Sequence, residues 1–263
     1  MTTLPLALWS LLGLSFLFAL LFVGAERWAN FGIVDVAWSF AFALVAGFAA
    51  WAGPGWSGRR WLLAALVVCW SGRLGLHLWR RVAGHHPVED GRYVRLRQEW
   101  AGRLRPRMAG FFQLQALSVV LLSTPFLLVV RNPAPQFHPL EGVAVVLWVL
   151  ALAGEAVADR QLAAFKRNPA MAGRVCDAGL WRYSRHPNYF FEWLVWVAYA
   201  LFALASPAGW VGLLSPALIL YLLLRVTGIP LNEEQSLRSK GDAYRRYQAT
   251  TSAFIPWLPR SRP

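Results

Sequence analysis

Residues 179–196 read GLWRYSRHPNYFFEWLVW. Cations, a phenol and an amide stand there directly before an apolar run, with Glu192 just inside it. Arg182 and Arg185 can meet phosphate groups, because a guanidinium offers a planar fork for bidentate contact. His186 can donate or accept a hydrogen bond, and Pro187 suits the first turn of a helix. Asn188 and Tyr189 would then lie where unpaired backbone N–H groups favour anions. Such a set could hold an anionic cofactor at a membrane entrance. It suits a lipid-headgroup anchor equally well, since Arg, Tyr and Trp gather at bilayer interfaces for unrelated reasons.

A second constellation lies near the C-terminus: TGIPLNEE at 227–234, YRRY at 244–247 and FIPW at 254–257. Glu233 and Glu234 could bind the hydroxyls of a ribose, or simply balance Arg238 and Arg245. Inside the apolar runs stand Asp35, Arg73, Glu155 and Glu192. Each such group costs at least ~2.5–3.5 kcal/mol to insert, so these side chains are expected to face a protein interior. An Asp35–Arg73 ion pair that only locks two helices is one reading of the first two.

Other chemistries find too few groups. The chain has five histidines, short of the clusters that a di-iron oxygenase needs, and no metal site is expected. His85 and His86 with Glu89 and Asp90 could ligate zinc, but they lack a second close-spaced ligand pair and read better as a solvated loop. There is no G-x-S-x-G elbow and no P-loop, and neither cysteine stands beside a histidine. Cys69 and Cys176 are read as free thiols.

The elements that would position these residues are membrane helices. With 57% hydrophobic residues, 15 Trp and 15% charged residues in 263, the chain cannot cover its apolar surface as a soluble protein does. Apolar runs at 4–23, 31–51, 61–79, 111–130, 140–158, 189–205 and 210–226 predict an all-α, polytopic membrane protein with seven spans. The first run lacks a basic n-region and exceeds a signal-peptide core. GPG at 53–55, Pro133 with Pro135, and Ser206-Pro207 supply turns. A short interfacial helix is expected within 92–103, and a charged tail from 227 onward. The whole chain, 1–263, reads as one membrane domain whose C-terminal half, 140–263, carries the cofactor motifs.

A net charge of +13 could point to nucleic acid, but the cations alternate with apolar runs, as the positive-inside bias produces. Residues 80–107, 160–185 and 225–262 hold 8, 6 and 7 basic residues, 21 of the 26. These alternate loops would share the cytoplasmic side, leaving the N-terminus outside and the C-terminus in the cytoplasm. Arg59 and Arg60 fall on the outer side against that bias. No nucleic-acid partner is expected.

WRYSRHPNYxxE at 181–192, TGIPLxE at 227–233, the YxxY and the FIPW together resemble the bacterial membrane proteins related to steroid 5α-reductase. The wider superfamily includes sterol reductases, which use NADPH, and isoprenylcysteine carboxyl methyltransferases, which use S-adenosylmethionine. The resemblance implies a bacterial inner-membrane protein and an NADPH site formed by Asp159, Lys166, Arg174, Tyr183, Arg185, His186, Asn188, Tyr189, Glu192, Arg225 and Glu233. Lys166 stands where the steroid reductases have Arg. The N-terminal half lacks the Gln-Glu pair with which those enzymes hold a substrate carbonyl, leaving Asp35 and Tyr93 as the catalytic candidates. The activity implied is hydride transfer to a C=C bond conjugated to a carbonyl, in a steroid- or isoprenoid-like substrate. The acidic pair Glu233 and Glu234 keeps a methyltransferase as the alternative, and a non-catalytic lipid-binding protein is the third reading. Partners would be the hydrophobic substrate and membrane lipid.

Overall fold

A computed structural model describes residues 1–260. Eleven α-helices hold most of them: α1 Thr3–Arg27, α2 Ile33–Ala52, α3 Ser57–His85, α4 Gly91–Glu99, α5 Leu104–Leu122, α6 Thr124–Val129, α7 Pro139–Arg167, α8 Pro187–Leu204, α9 Leu214–Tyr221, α10 Ile229–Lys240 and α11 Asp242–Thr250. No strand occurs among the described residues. In hydrocarbon every backbone N–H and C=O must be satisfied within the protein, and a helix does so within its own segment.

Among the described residues, five helical stretches are long and apolar enough to cross a membrane: Thr3–Arg27, Ile33–Ala52, Ser57–His85, Pro139–Arg167 and Gly209–Lys240. They mark an integral membrane protein. Along α1, Leu4, Leu8, Leu12, Phe16 and Leu20 are exposed at intervals of four, an apolar stripe that only lipid or another apolar surface could cover. The two remaining expected spans are helical but fall outside this set. Residues 111–130 are divided at Ser123, where α5 ends and α6 starts with Pro125 in its first turn. α8 has eighteen residues and carries Asn188 and Glu192 in its first two turns.

Two further expectations are corrected. α7 runs on to Arg167 instead of ending near 158, so Lys166 extends from a helix and not from the connection expected from Arg160 onward. The tail from 227 is folded as α10 and α11, separated by Gly241 at φ 51°. The short helix within 92–103 is present as α4, capped by the Asp90 carboxylate, which accepts from Arg92 N–H at 3.0 Å.

The chain forms two compact units, one of residues 1–137 with 203–211, the other of 138–202 with 212 onward. In the first, α2 packs most extensively on α3, and α1 on α5. Its core is aromatic. Phe42 meets Trp70 at 5.4 Å and Phe22 meets Phe112 edge-on at 5.5 Å, separations at which aromatic pairs add to plain burial.

Arg59 and Arg60, the two cations at odds with the charge bias, are absorbed by backbone oxygens of the same unit. Arg59 is 1% exposed and donates to the carbonyls of Asn132, Ala134 and Gln136 at 3.3, 2.7 and 2.5 Å. Arg60 donates to the carbonyls of Ala50 and Gly53 at the end of α2, where a helix leaves its last carbonyls unpaired.

In the second unit, Gly154 of α7 lets Phe191 of α8 approach so closely that an added Cβ would lie 2.4 Å from the ring. The Trp148 indole donates to the Tyr199 hydroxyl at 3.0 Å within the same helix pair.

Candidate functional site

Motif residues of the C-terminal half converge at the start of α8. Just upstream, Gly179 adopts φ +60° against the Gln161 side chain of α7, a backbone conformation that favours glycine. Gln161 accepts from Leu180 N–H at 2.9 Å, and the Trp181 indole donates to the Ala158 carbonyl at 3.0 Å. These bonds pin the one-turn helix Gly179–Arg182 to α7 one turn from Asp159. Across the α7–α8 pair, the Asn188 amide then reaches the Asp159 carboxylate at 3.4 Å.

Arg185 and His186 face the C-terminal helices. The Arg185 Nε donates to Glu233 Oε1 at 2.6 Å, and its Nη1 donates to the carbonyls of Gln248 and Thr251 at 3.1 and 2.6 Å. His186 Nε2 lies 3.3 Å from the same Glu233 oxygen, and the Gln248 amide donates to the other at 2.9 Å. Glu233 therefore commits both oxygens to protein partners. Tyr189 stacks on His186 with ring centroids 5.5 Å apart, and its hydroxyl accepts from Asn232 of α10 at 2.6 Å. Glu192 accepts from the Trp196 indole at 3.0 Å.

Buried tyrosines lock the tail onto this stretch. Tyr247 donates to the carbonyls of Trp181 and Ser184, and burial pushes its phenol well up. Burial and the Glu233 charge push Tyr244 up to about 12. Burial also raises the Cys176 thiol, which keeps it a poor nucleophile at neutral pH.

Lys166, Arg174, Tyr183 and Arg225 are exposed and stand outside the knot of side chains around Arg185 and Glu233. The three cations have no carboxylate partner among the described residues.

The first unit holds a separate polar cluster. Asp35, in the first turn of α2, accepts from the Tyr93 hydroxyl at 2.7 Å and from Arg92 Nη2 at 2.6 Å, with Arg81 at 3.9 Å. The carboxylate thus pairs with Arg92 and not with Arg73. Tyr93 is 2% exposed, and burial, then the Asp35 charge, raises its phenol well above the ordinary range. Burial pushes Asp90 up, but Arg92, through its charge and two hydrogen bonds, outweighs this and leaves the carboxyl below its ordinary value. Glu89 completes the clamp by accepting from Phe31 N–H at 2.6 Å and from Arg97 Nε at 2.5 Å.

The sequence reading did not single out Arg92, Asn232 or Gln248 as partners of its site residues. Asp90 ahead of GRY is an N-cap signal that could have placed Arg92 in a first helical turn. Nothing local predicts its partner 57 positions away. No cluster of three or more metal-binding side chains occurs among the described residues.

Residues 21–251 match the family described as "Protein of unknown function (DUF1295)", and the chain belongs to that family. It is similar to an uncharacterised protein, C594.04c, of Schizosaccharomyces pombe (strain 972 / ATCC 24843), at 28% identity over 234 residues. The alignment covers 78% of this chain and 65% of that relative's length. No solved structure matches the chain.

Proposed function

We propose that this DUF1295 member is a membrane reductase that uses NADPH to saturate a C=C bond conjugated to a carbonyl in a hydrophobic, steroid- or isoprenoid-like substrate. The observation that carries the reading is the contact of Asn188 with Asp159 at the head of α8, with Arg185 and His186 ordered in the turn before it. These residues carry the likeness to the NADPH-dependent reductases, and they are grouped in one unit.

The residues present fit such a cofactor. Lys166, Arg174 and Arg225 lie exposed without carboxylate partners, as groups awaiting phosphates would. Asn188 and Asp159 offer a donor and an acceptor suited to an amide or a ribose. NADPH supplies the hydride, which would go to the β-carbon while a proton reaches the α-carbon.

Tyr93 and Asp35 would serve the carbonyl. Flanked by two arginines and accepting from Tyr93, Asp35 is arranged as an acceptor, so Tyr93 is the group with a proton to share. Its single O–H, donated to Asp35 in this structure, would turn from Asp35 to the carbonyl oxygen as enolate charge develops, and Arg92 would keep Asp35 paired meanwhile. The charge distribution favours loops 80–107 and 160–185 and the C-terminal helices on the cytoplasmic side, where NADPH is available.

The test is a cofactor shift on the detergent-purified protein. NADPH should raise Tm, because a ligand that binds only the folded state stabilises it. Asn188→Ala and Arg174→Ala should each weaken that shift. A shift with S-adenosylmethionine alone would transfer the site to the methyltransferase reading. No shift with either would leave a non-catalytic lipid-binding protein.

A further inference from the structure

Beside the knot of the second unit, residues 249–253 close with Arg185, Gln248 and Arg260 around a cavity of about 170 Å³. Its size limits the occupant. Whole small molecules take ~300–1,000 Å³, whereas a water's share is ~30 Å³, so this space suits one compact polyatomic group.

Its sign narrows the choice further. Of the two arginines in the lining, Arg185 is paired with Glu233 at 2.6 Å, whereas Arg260 has no carboxylate partner among the described residues. Thr251 is only 6% exposed, and its hydroxyl has no hydrogen-bond partner among the described residues. The backbone N–H groups of Ser252 and Ala253 have none there either. Arg185 holds this loop in place by donating to the Thr251 carbonyl at 2.6 Å and by its own N–H to the Ser252 carbonyl at 2.8 Å. Arg260 N–H closes it by donating to the Thr250 carbonyl at 2.9 Å. A hydroxyl and two N–H groups without protein acceptors, on the loop that lines this cavity with Arg260, are donors that an anion would satisfy.

We propose that this cavity binds a phosphate group. Arg260 would supply the charge, and Thr251, Ser252 and Ala253 the neutral donors, while Arg185, paired with Glu233, holds the loop. Ile255, Trp257 and Leu258, which are 59, 72 and 73% exposed, follow the loop and precede Arg260. The phosphate could therefore belong to a phospholipid whose chains meet these side chains, or be free in solution.

The test uses the full chain in detergent with no nicotinamide cofactor added, so its outcome stands apart from the reductase reading. Tm is followed against sodium phosphate, with sodium chloride of equal ionic strength as reference. A second arm compares dihexanoyl-phosphatidylglycerol with dihexanoylglycerol, which lacks the phosphate. A rise with the phospholipid but not with the diglyceride assigns the headgroup; a rise with inorganic phosphate alone assigns the free ion. In either arm, Arg260→Ala should cut the apparent affinity about tenfold, the loss expected for one charge-assisted hydrogen bond. Arg260 is exposed, so that variant should fold. Arg245→Ala, at an exposed arginine paired with Asp242 at 2.8 Å, should leave the affinity unchanged. The absence of a rise in both arms overturns the proposal, as does a rise that Arg260→Ala leaves intact.

Discussion

Glu233 accepts from an arginine and an amide while also meeting a histidine. Glu233→Ala would leave the Arg185 guanidinium, 11% exposed, without its counter-charge. The expected loss is about 3 kcal/mol of stability, read as a fall in Tm, and Arg185→Ala combined with it should cost less than the sum of the two single changes. Tyr93→Phe deletes one hydroxyl and should cost about 1 kcal/mol. If the phenol serves a substrate carbonyl, the same change should lower kcat by about 10²-fold or more with cofactor affinity unchanged; unaltered turnover would make Tyr93 a structural residue. Asp90 sets a pH dependence. Its folded carboxyl lies below the ordinary value of 3.8, so its contribution is complete above that value and is lost as pH falls through the lower folded one. Hydrogen exchange of α4 should therefore quicken in strong acid in the wild type, and Asp90→Asn should remove that part of the dependence. The Arg185–Asn188 group was legible because its members are contiguous and of unusual composition. The Asp35–Arg92 pair was not, since 57 residues separate partners that only the fold unites.

Helix geometry decides how those residues meet. α7 carries Asp159 toward α8 only because Gly154 admits Phe191, and Gly154→Ala should force the helices apart or the ring out of its place. About 1–3 kcal/mol of overpacking is expected, together with a weaker Asn188–Asp159 contact, so both Tm and NADPH affinity should fall. A Tm lower by the same amount with affinity intact would separate packing from site geometry. Gly179→Ala should cost about 1–2 kcal/mol through its positive φ alone. Apolar runs and Pro/Gly breaks made the long helices readable in advance. The ends were harder: α7 outlasts its apolar stretch because its last turns, although polar, contain no breaker before Asn168-Pro169. α10 and α11 were read as tail because their stabilising partners lie in residues 181–185, far back in the chain.

At the level of the entire chain, the excess of positive charge is a statement about sidedness. Five candidate spans among the described residues and seven expected ones are both odd numbers, so either count, if every span crosses, would set the two termini on opposite faces of the membrane. A fluorescent protein fused after the C-terminus should light up in cells, while alkaline phosphatase fused there should stay inactive; the reverse pattern would invert the orientation and remove NADPH access from the proposed side. Arg59 and Arg60 show where counting charges from sequence loses information, because the backbone carbonyls that absorb them cannot be seen in a tally of cations. They also differ in time. The acceptors of Arg60 lie at residues 50–53, already made when that arginine leaves the ribosome. Those of Arg59 lie 73, 75 and 77 residues downstream. At ~5–20 residues per second this is a delay of roughly 4–15 s, during which an arginine destined for burial must wait for a loop that has not yet been synthesised.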